Sequence, residues 1–127
     1  MFNFLRRKKF NRNNRNRNLN YKLISFEKAK EIINNEENIV IDVRTEKEYN
    51  VMHIKNSVNI PVDHLSYSEA EYKNKEKILL YCSSGIRTKE ATAILNNMGY
   101  DNIYIWEYGS LANFPFKEMI SVWLCKR

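Results

Sequence analysis

A chain of 127 residues, 43% of them apolar, fits one packed core. No apolar run reaches the ~18 residues of a transmembrane helix, so none is expected. The net charge is +6, yet Arg6, Arg7, Lys8, Lys9, Arg12, Arg15 and Arg17 carry +7 with no acid among residues 1–18, which leaves about −1 for residues 19–127.

Residues 1–20 read as a basic tail. Asn fills the gaps between the charges, and so few apolar residues follow Phe10 that the stretch lacks the surface to fold alone. A solvated, disordered extension is expected. Phe2, Phe4, Leu5 and Phe10 also make an interfacial apolar set, which offers weak contact with an anionic membrane. Arginines scattered without a fold or an aromatic platform give no reason to expect a specific nucleic-acid partner. Met1 to Leu5 is too short for an apolar h-region and precedes the basic run, so no secretory signal is expected. Two cysteines without an export signal then imply free thiols in a reducing compartment: a cytoplasmic protein, at most peripheral to a membrane.

Lys22-Leu23-Ile24 predicts a short strand, and Ser25 caps a helix running to Asn34, with Phe26, Ala29, Ile32 and Ile33 on its apolar face. Residues 39–43 are almost continuously apolar, as in a strand buried on both faces. Thr45 and Glu48 have capping-box spacing for a short helix over residues 46–50. Residues 57–60 predict a strand that Pro61 stops, and residues 62–77 are polar and partly helical. A strand over residues 78–81 leads into a loop, then a helix over residues 88–97 with Ala91, Ile94, Leu95 and Met98 inward and Gly99 as its stop. The last strand covers residues 103–105. Ile120, Trp123 and Leu124 share one face of a short C-terminal helix. Strands alternating with helices imply an α/β fold, an open parallel sheet with helices on both faces.

Cys82 stands where the strand over residues 78–81 ends, at the carboxyl edge where such sheets bind ligands. The loop that follows, Ser83-Ser84-Gly85-Ile86-Arg87-Thr88, turns its N–H groups toward the thiol. A helix N-terminus and Arg87 add positive charge, which favours the thiolate, the nucleophilic form. The same cradle suits a small oxyanion or a persulfide. An exposed, activated cysteine inside an anion site is therefore expected. Gly85 supplies a positive φ or a close backbone approach, and no clustered His or Cys set offers a metal site.

The loop resembles the active-site loop of the rhodanese family of sulfurtransferases. Ile39-Val40-Ile41-Asp42-Val43-Arg44 resembles the family strand ending in Asp-Val-Arg. Glu48-Tyr49, His53-Ile54, Ser57 and Asn59-Ile60-Pro61 resemble its second signature, and Gly99-Tyr100, Ile103-Tyr104-Ile105 and Gly109-Ser110-Leu111 its final strand and turn. The likeness covers residues 22 to 116. It implies a rhodanese-like domain over residues 21–116, between the tail (1–20) and an apolar, helical extension (117–127).

The resemblance also implies the chemistry. Cys82 would carry sulfane sulfur as a persulfide, taken from thiosulfate or a persulfide donor and passed to a thiol, a protein or another thiophilic acceptor, with no cofactor. Residues 83–88 would bind the donor, Arg87 either by holding its oxygens or by fixing the loop. Asp42, Arg44, Glu48 and His53 read as structural support: Arg44 and Glu48 are close enough in sequence to pair, Asp42 can hold backbone groups at the strand end, and His53 anchors a turn. Met52 and Tyr108 stand where the family more often has Gly, and Tyr108 crowds the mouth of the site. His64 reads as a surface residue. Cys125 is a candidate resolving thiol, although Val122, Trp123 and Leu124 argue for a packed tail. Two other functions compete. Phosphatases and arsenate reductases of this fold use a loop one residue longer, whereas four residues separate Cys82 from Arg87 here. A binding module without catalysis would have no use for the cysteine.

Overall fold

The expected α/β alternation is present in the computed structural model, which describes residues 18–123. In chain order the elements are β1 (Lys22–Ile24), α1 (Phe26–Ile33), β2 (Ile39–Asp42), α2 (Glu46–Val51), β3 (Met52–Ile54) and β4 (Ser57–Asn59). A 3₁₀ segment (Val62–Tyr67), α3 (Glu69–Tyr72), β5 (Ile78–Tyr81), α4 (Ile86–Asn97), β6 (Ile103–Trp106), short 3₁₀ turns and β7 (Ile120–Val122) follow. Five strands form one parallel sheet in the order β1-β6-β5-β2-β4. From β2 the chain continues outward to β4, and from β5 outward to β6, on the other side. The order therefore reverses between β2 and β5, and a crevice opens at their carboxyl ends.

Every residue of β2 and β5 is buried, because helices cover both faces. The period of two sorts their side chains. Ile39, Ile41, Ile78, Leu80 and Cys82 face Ala91 and Leu95 of α4, together with Leu65 and Tyr72. Val40, Leu79 and Tyr81 face Ala29, Ile32 and Ile33 of α1, with Trp106, Phe114 and Met119. Each fully buried Leu on these strands contributes about 1.5–3 kcal/mol.

Local caps fix the helices as their residues dictate. The Ser25 hydroxyl accepts the Lys28 N–H at 3.0 Å, and Thr45 and Glu48 form the full capping box of α2. Two expectations need correction. α4 begins at Ile86 and not Thr88, because Gly85 at φ +100° turns the chain directly into the helix, so Arg87 and Thr88 lie in its first turn. The C-terminal residues 120–122 form a strand and not a helix. They pair antiparallel with β3, itself unforeseen, matching Met52 with Val122 and Ile54 with Ile120, and the Trp123 N–H donates to the Val51 carbonyl at 2.8 Å. Within the expected tail, Asn96 holds the Asn20 backbone at both its N–H (2.8 Å) and its carbonyl (3.1 Å). The tail expected over residues 1–17 and the resolving role considered for Cys125 lie outside the described residues.

Candidate active site

β5 delivers Cys82 to the crevice. Its N–H donates to the Gly109 carbonyl (2.9 Å), and its own carbonyl accepts from the Leu111 N–H (2.7 Å), so its backbone is held by the turn after β6. The expectation of an exposed thiol is overturned: Cys82 is fully buried. Its side chain lies on the α4 face of the sheet, packed into the cluster that contains Leu80 and Ile105. The Gly85 N–H closes over it and donates to Sγ at 2.9 Å. One amide of the loop thus points at the sulfur. Ile86, Arg87 and Thr88 bring further N–H groups of the first turn of α4, which have no carbonyl partner inside the helix.

Gly85 is required on two counts. Its φ is +100°, and a Cβ there would run into the Tyr108 carbonyl oxygen. Gly85→Ala is expected to cost about 1–3 kcal/mol from the backbone conformation alone. Urea unfolding should show that loss, with a fall in any Cys82-dependent turnover. Tyr108 also has positive φ (66°) and is 72% exposed beside the loop, in the place where crowding of the mouth was expected. Together with Leu23, Thr88, Lys89, Ile105 and Glu107 it lines a groove of about 280 Å³ next to Gly85.

The charged residues pair differently from the expectation. Arg44 turns to Asp42: Nε lies 3.0 and 3.1 Å from the two carboxylate oxygens and Nη2 2.8 Å from Oδ2, while the Arg44 N–H donates to Oδ1 at 2.9 Å. Both residues are buried, and Nη2 also donates to the Met52 carbonyl at 2.5 Å. Asp42 can capture Arg44 because the two are two residues apart at the end of β2, where the chain bends. Glu48 is thereby left to Arg87, at 2.8 Å (Nη1–Oε1) and 3.1 Å (Nη2–Oε2). The Arg87 contact, opposed by partial burial and helped by Thr45, pulls the Glu48 carboxyl from its ordinary 4.5 to about 2. Glu48 in turn raises Arg87.

A depressed carboxyl stabilises the fold above its unfolded pKa and loses that contribution as the pH falls through the folded value. The Glu48–Arg87 contribution is therefore complete above about pH 5 and fades toward about pH 2. In acid unfolding curves, the stability gap between the parent and Glu48→Gln should shrink across that window. A gap that stays constant to pH 2 would contradict the pairing.

The other site residues divide between cradle and scaffold. Ser84 on the loop and Ile86 at the start of α4 are exposed, and the Ser83 hydroxyl lies 3.5 Å from Glu48 Oε2. Thr88 is buried, and its hydroxyl donates to the Gly109 carbonyl at 3.2 Å. His53 Nδ1 meets the Tyr49 carbonyl at 2.8 Å, and the His53 and Tyr49 rings stack 3.8 Å apart. His64 is exposed.

Two residues escaped the sequence reading. The Ser110 hydroxyl donates to the Ser83 carbonyl, tying the loop to the turn after β6. Its only signal was its place in the Gly109-Ser110-Leu111 turn. Tyr81, whose phenol is pushed up by burial and then by Asp42, accepts the Ile54 N–H at 3.0 Å. Its hydroxyl lies 3.2 Å from Ser57 Oγ, and the Ser57 hydroxyl donates to the Ile54 carbonyl at 2.6 Å. Nothing in an apolar strand run marks such a residue.

The chain is similar to known proteins in sequence and fold. Residues 25–112 match the family model of the rhodanese-like domain. Over 88 residues the chain is 30% identical to the tRNA uridine(34) hydroxylase of Buchnera aphidicola subsp. Baizongia pistaciae, covering 64% of this chain and 28% of that protein. The chain spans about a quarter of the length of the curated relatives it matches. A rhodanese-related protein from Thermoplasma volcanium superposes with a TM-score of 0.62 at 28% identity, covering 74% of this chain and 90% of that one. A rhodanese from E. coli, solved with anions, superposes with a TM-score of 0.55 at 25% identity, covering 68% and 99%.

Proposed function

The chain belongs to the family of rhodanese-like domains, and from that membership we propose that it is a sulfurtransferase whose carrier is Cys82. The observation that carries this reading is the Gly85 N–H aimed at Sγ from 2.9 Å, at the carboxyl end of β5 and the N-terminus of α4. A thiolate there attacks the outer sulfur of thiosulfate. The new S–S bond forms as the donor's S–S bond breaks, and sulfite leaves with that bonding pair. Cys82 then carries a persulfide, Cys–S–S⁻. A thiophilic acceptor such as cyanide attacks the outer sulfur, departs as thiocyanate and returns the thiolate. The oxidation state of the transferred sulfur passes unchanged from donor to acceptor, and splitting the transfer into two steps is what the covalent carrier contributes.

Loop amides hold the negative charge of donor and persulfide, and Arg87 adds the hydrogens it does not spend on Glu48. The four-residue interval between Cys82 and Arg87 supports a sulfur substrate over a phosphate ester. Incubation with thiosulfate should add the mass of one sulfur atom to the peptide containing Cys82, and cyanide should remove it. No adduct on that peptide would sink the reading. A second reading draws on the curated relatives, which are named tRNA uridine(34) hydroxylases. There Cys82 would serve hydroxylation of a tRNA uridine, an oxidation whose oxygen would come from a separate oxidant such as dioxygen, with this chain as the rhodanese-like part of that activity. Nucleoside analysis of tRNA after incubation with the same preparation separates the two.

A further inference from the structure

Glu48 takes no part in the steps above, yet its carboxylate reaches both ends of the loop. It forks onto Arg87 at 2.8 and 3.1 Å and lies 3.5 Å from the hydroxyl of Ser83, next to the nucleophile. The carboxylate is fixed before any donor arrives, because the Thr45 N–H (2.9 Å) and hydroxyl (3.0 Å) both donate to Oε1. The other charges near Cys82 also cancel. Arg44 is consumed by Asp42, and Lys89 and Glu107 oppose each other along the groove beside Tyr108. Ser84, Gly85 and Ile86 bring none. Apart from the Cys82 thiolate itself, the cradle therefore holds a row of N–H donors among side chains whose formal charges sum to zero.

We propose that Glu48 sets the charge preference of the Cys82 loop, neutralising Arg87 so that donors with one negative charge or none are favoured over dianions such as thiosulfate. This rests on the sulfurtransferase reading and adds the donor class to it. Glu48 acts through Arg87 and is a positioning residue, not a catalytic one.

Two donors of nearly the same shape isolate the charge. Thiosulfate carries two negative charges and releases sulfite; methanethiosulfonate carries one and releases methanesulfinate by the same displacement. Glu48→Gln keeps an oxygen for Thr45 and for Arg87 and removes the opposing charge. The ratio of kcat/KM for thiosulfate to that for methanethiosulfonate, with cyanide as acceptor, is expected to rise about tenfold, the size of one charge-assisted contact. Glu48→Asp keeps the charge and should hold the parental ratio.

Alkylation gives a readout that needs no turnover. On the Cys82 peptide, the rate with iodoacetate relative to neutral iodoacetamide should rise by a similar factor in Glu48→Gln. If both donors, or both alkylating agents, speed up or slow down alike, Glu48 only holds the loop and the proposal is overturned. If the parent takes sulfur from neither donor, the sulfurtransferase reading falls, and with it the donor assignment, while the alkylation ratio still reports what Glu48 does to the cradle.

Discussion

Cys82→Ser is expected to lower sulfur transfer by more than about a thousandfold while leaving the protein folded. Serine is nearly isosteric, and its oxygen can accept the Gly85 N–H that now reaches Sγ. The backbone bonds to Gly109 and Leu111 involve no side-chain atom and survive. Placing a hydroxyl in the cluster around Leu80 and Ile105 costs about 1–2 kcal/mol, a fraction of the stability of an ordinary domain. What is lost is the nucleophile: a serine hydroxyl cannot form the persulfide. Turnover with thiosulfate and cyanide, together with a thermal unfolding curve, checks both halves. Cys125→Ser is the control and should behave like the parent. If that variant loses turnover and Cys82→Ser keeps it, the carrier has been assigned to the wrong thiol.

The sequence made this site legible because its signals are local. A strand, a cysteine, a glycine that only a tight loop needs and a helix follow one another from Ile78 to Asn97, and each step rests on the chemistry of adjacent residues. The capping pair Thr45–Glu48 was readable for the same reason. What stayed hidden depends on partners distant in the chain. Glu48 was assigned to Arg44 from proximity, whereas the fold sets it beside Arg87, 39 residues on. The β3–β7 pair joins residues 52–54 to 120–122, and neither segment is long enough to announce a strand by itself. The backbone of Cys82 is likewise held by Gly109, Ser110 and Leu111, which arrive from the turn after β6.

Arg44→Ala should destabilise the domain by about 3–5 kcal/mol, the largest stability effect expected here. Asp42 is fully buried, and Arg44 supplies its counter-charge through three contacts between 2.8 and 3.1 Å. Removing the guanidinium leaves a carboxylate in the interior without its counter-charge and strips the Met52 carbonyl of the Arg44 donor. The pair need not add much net stability itself, because both charges were desolvated to form it. The double variant Asp42→Asn/Arg44→Met, which buries no charge, should therefore recover most of the loss in urea unfolding. Recovery of the fold should not bring back full activity. Arg44 leads directly into Thr45, Thr45 holds Glu48, and Glu48 holds Arg87, so repacking the end of β2 disturbs the loop through that relay. A cost below about 1 kcal/mol for Arg44→Ala would mean that water reaches Asp42. A double variant no more stable than the single one would show that the ion pair, and not the mere absence of buried charge, holds β2 against β3.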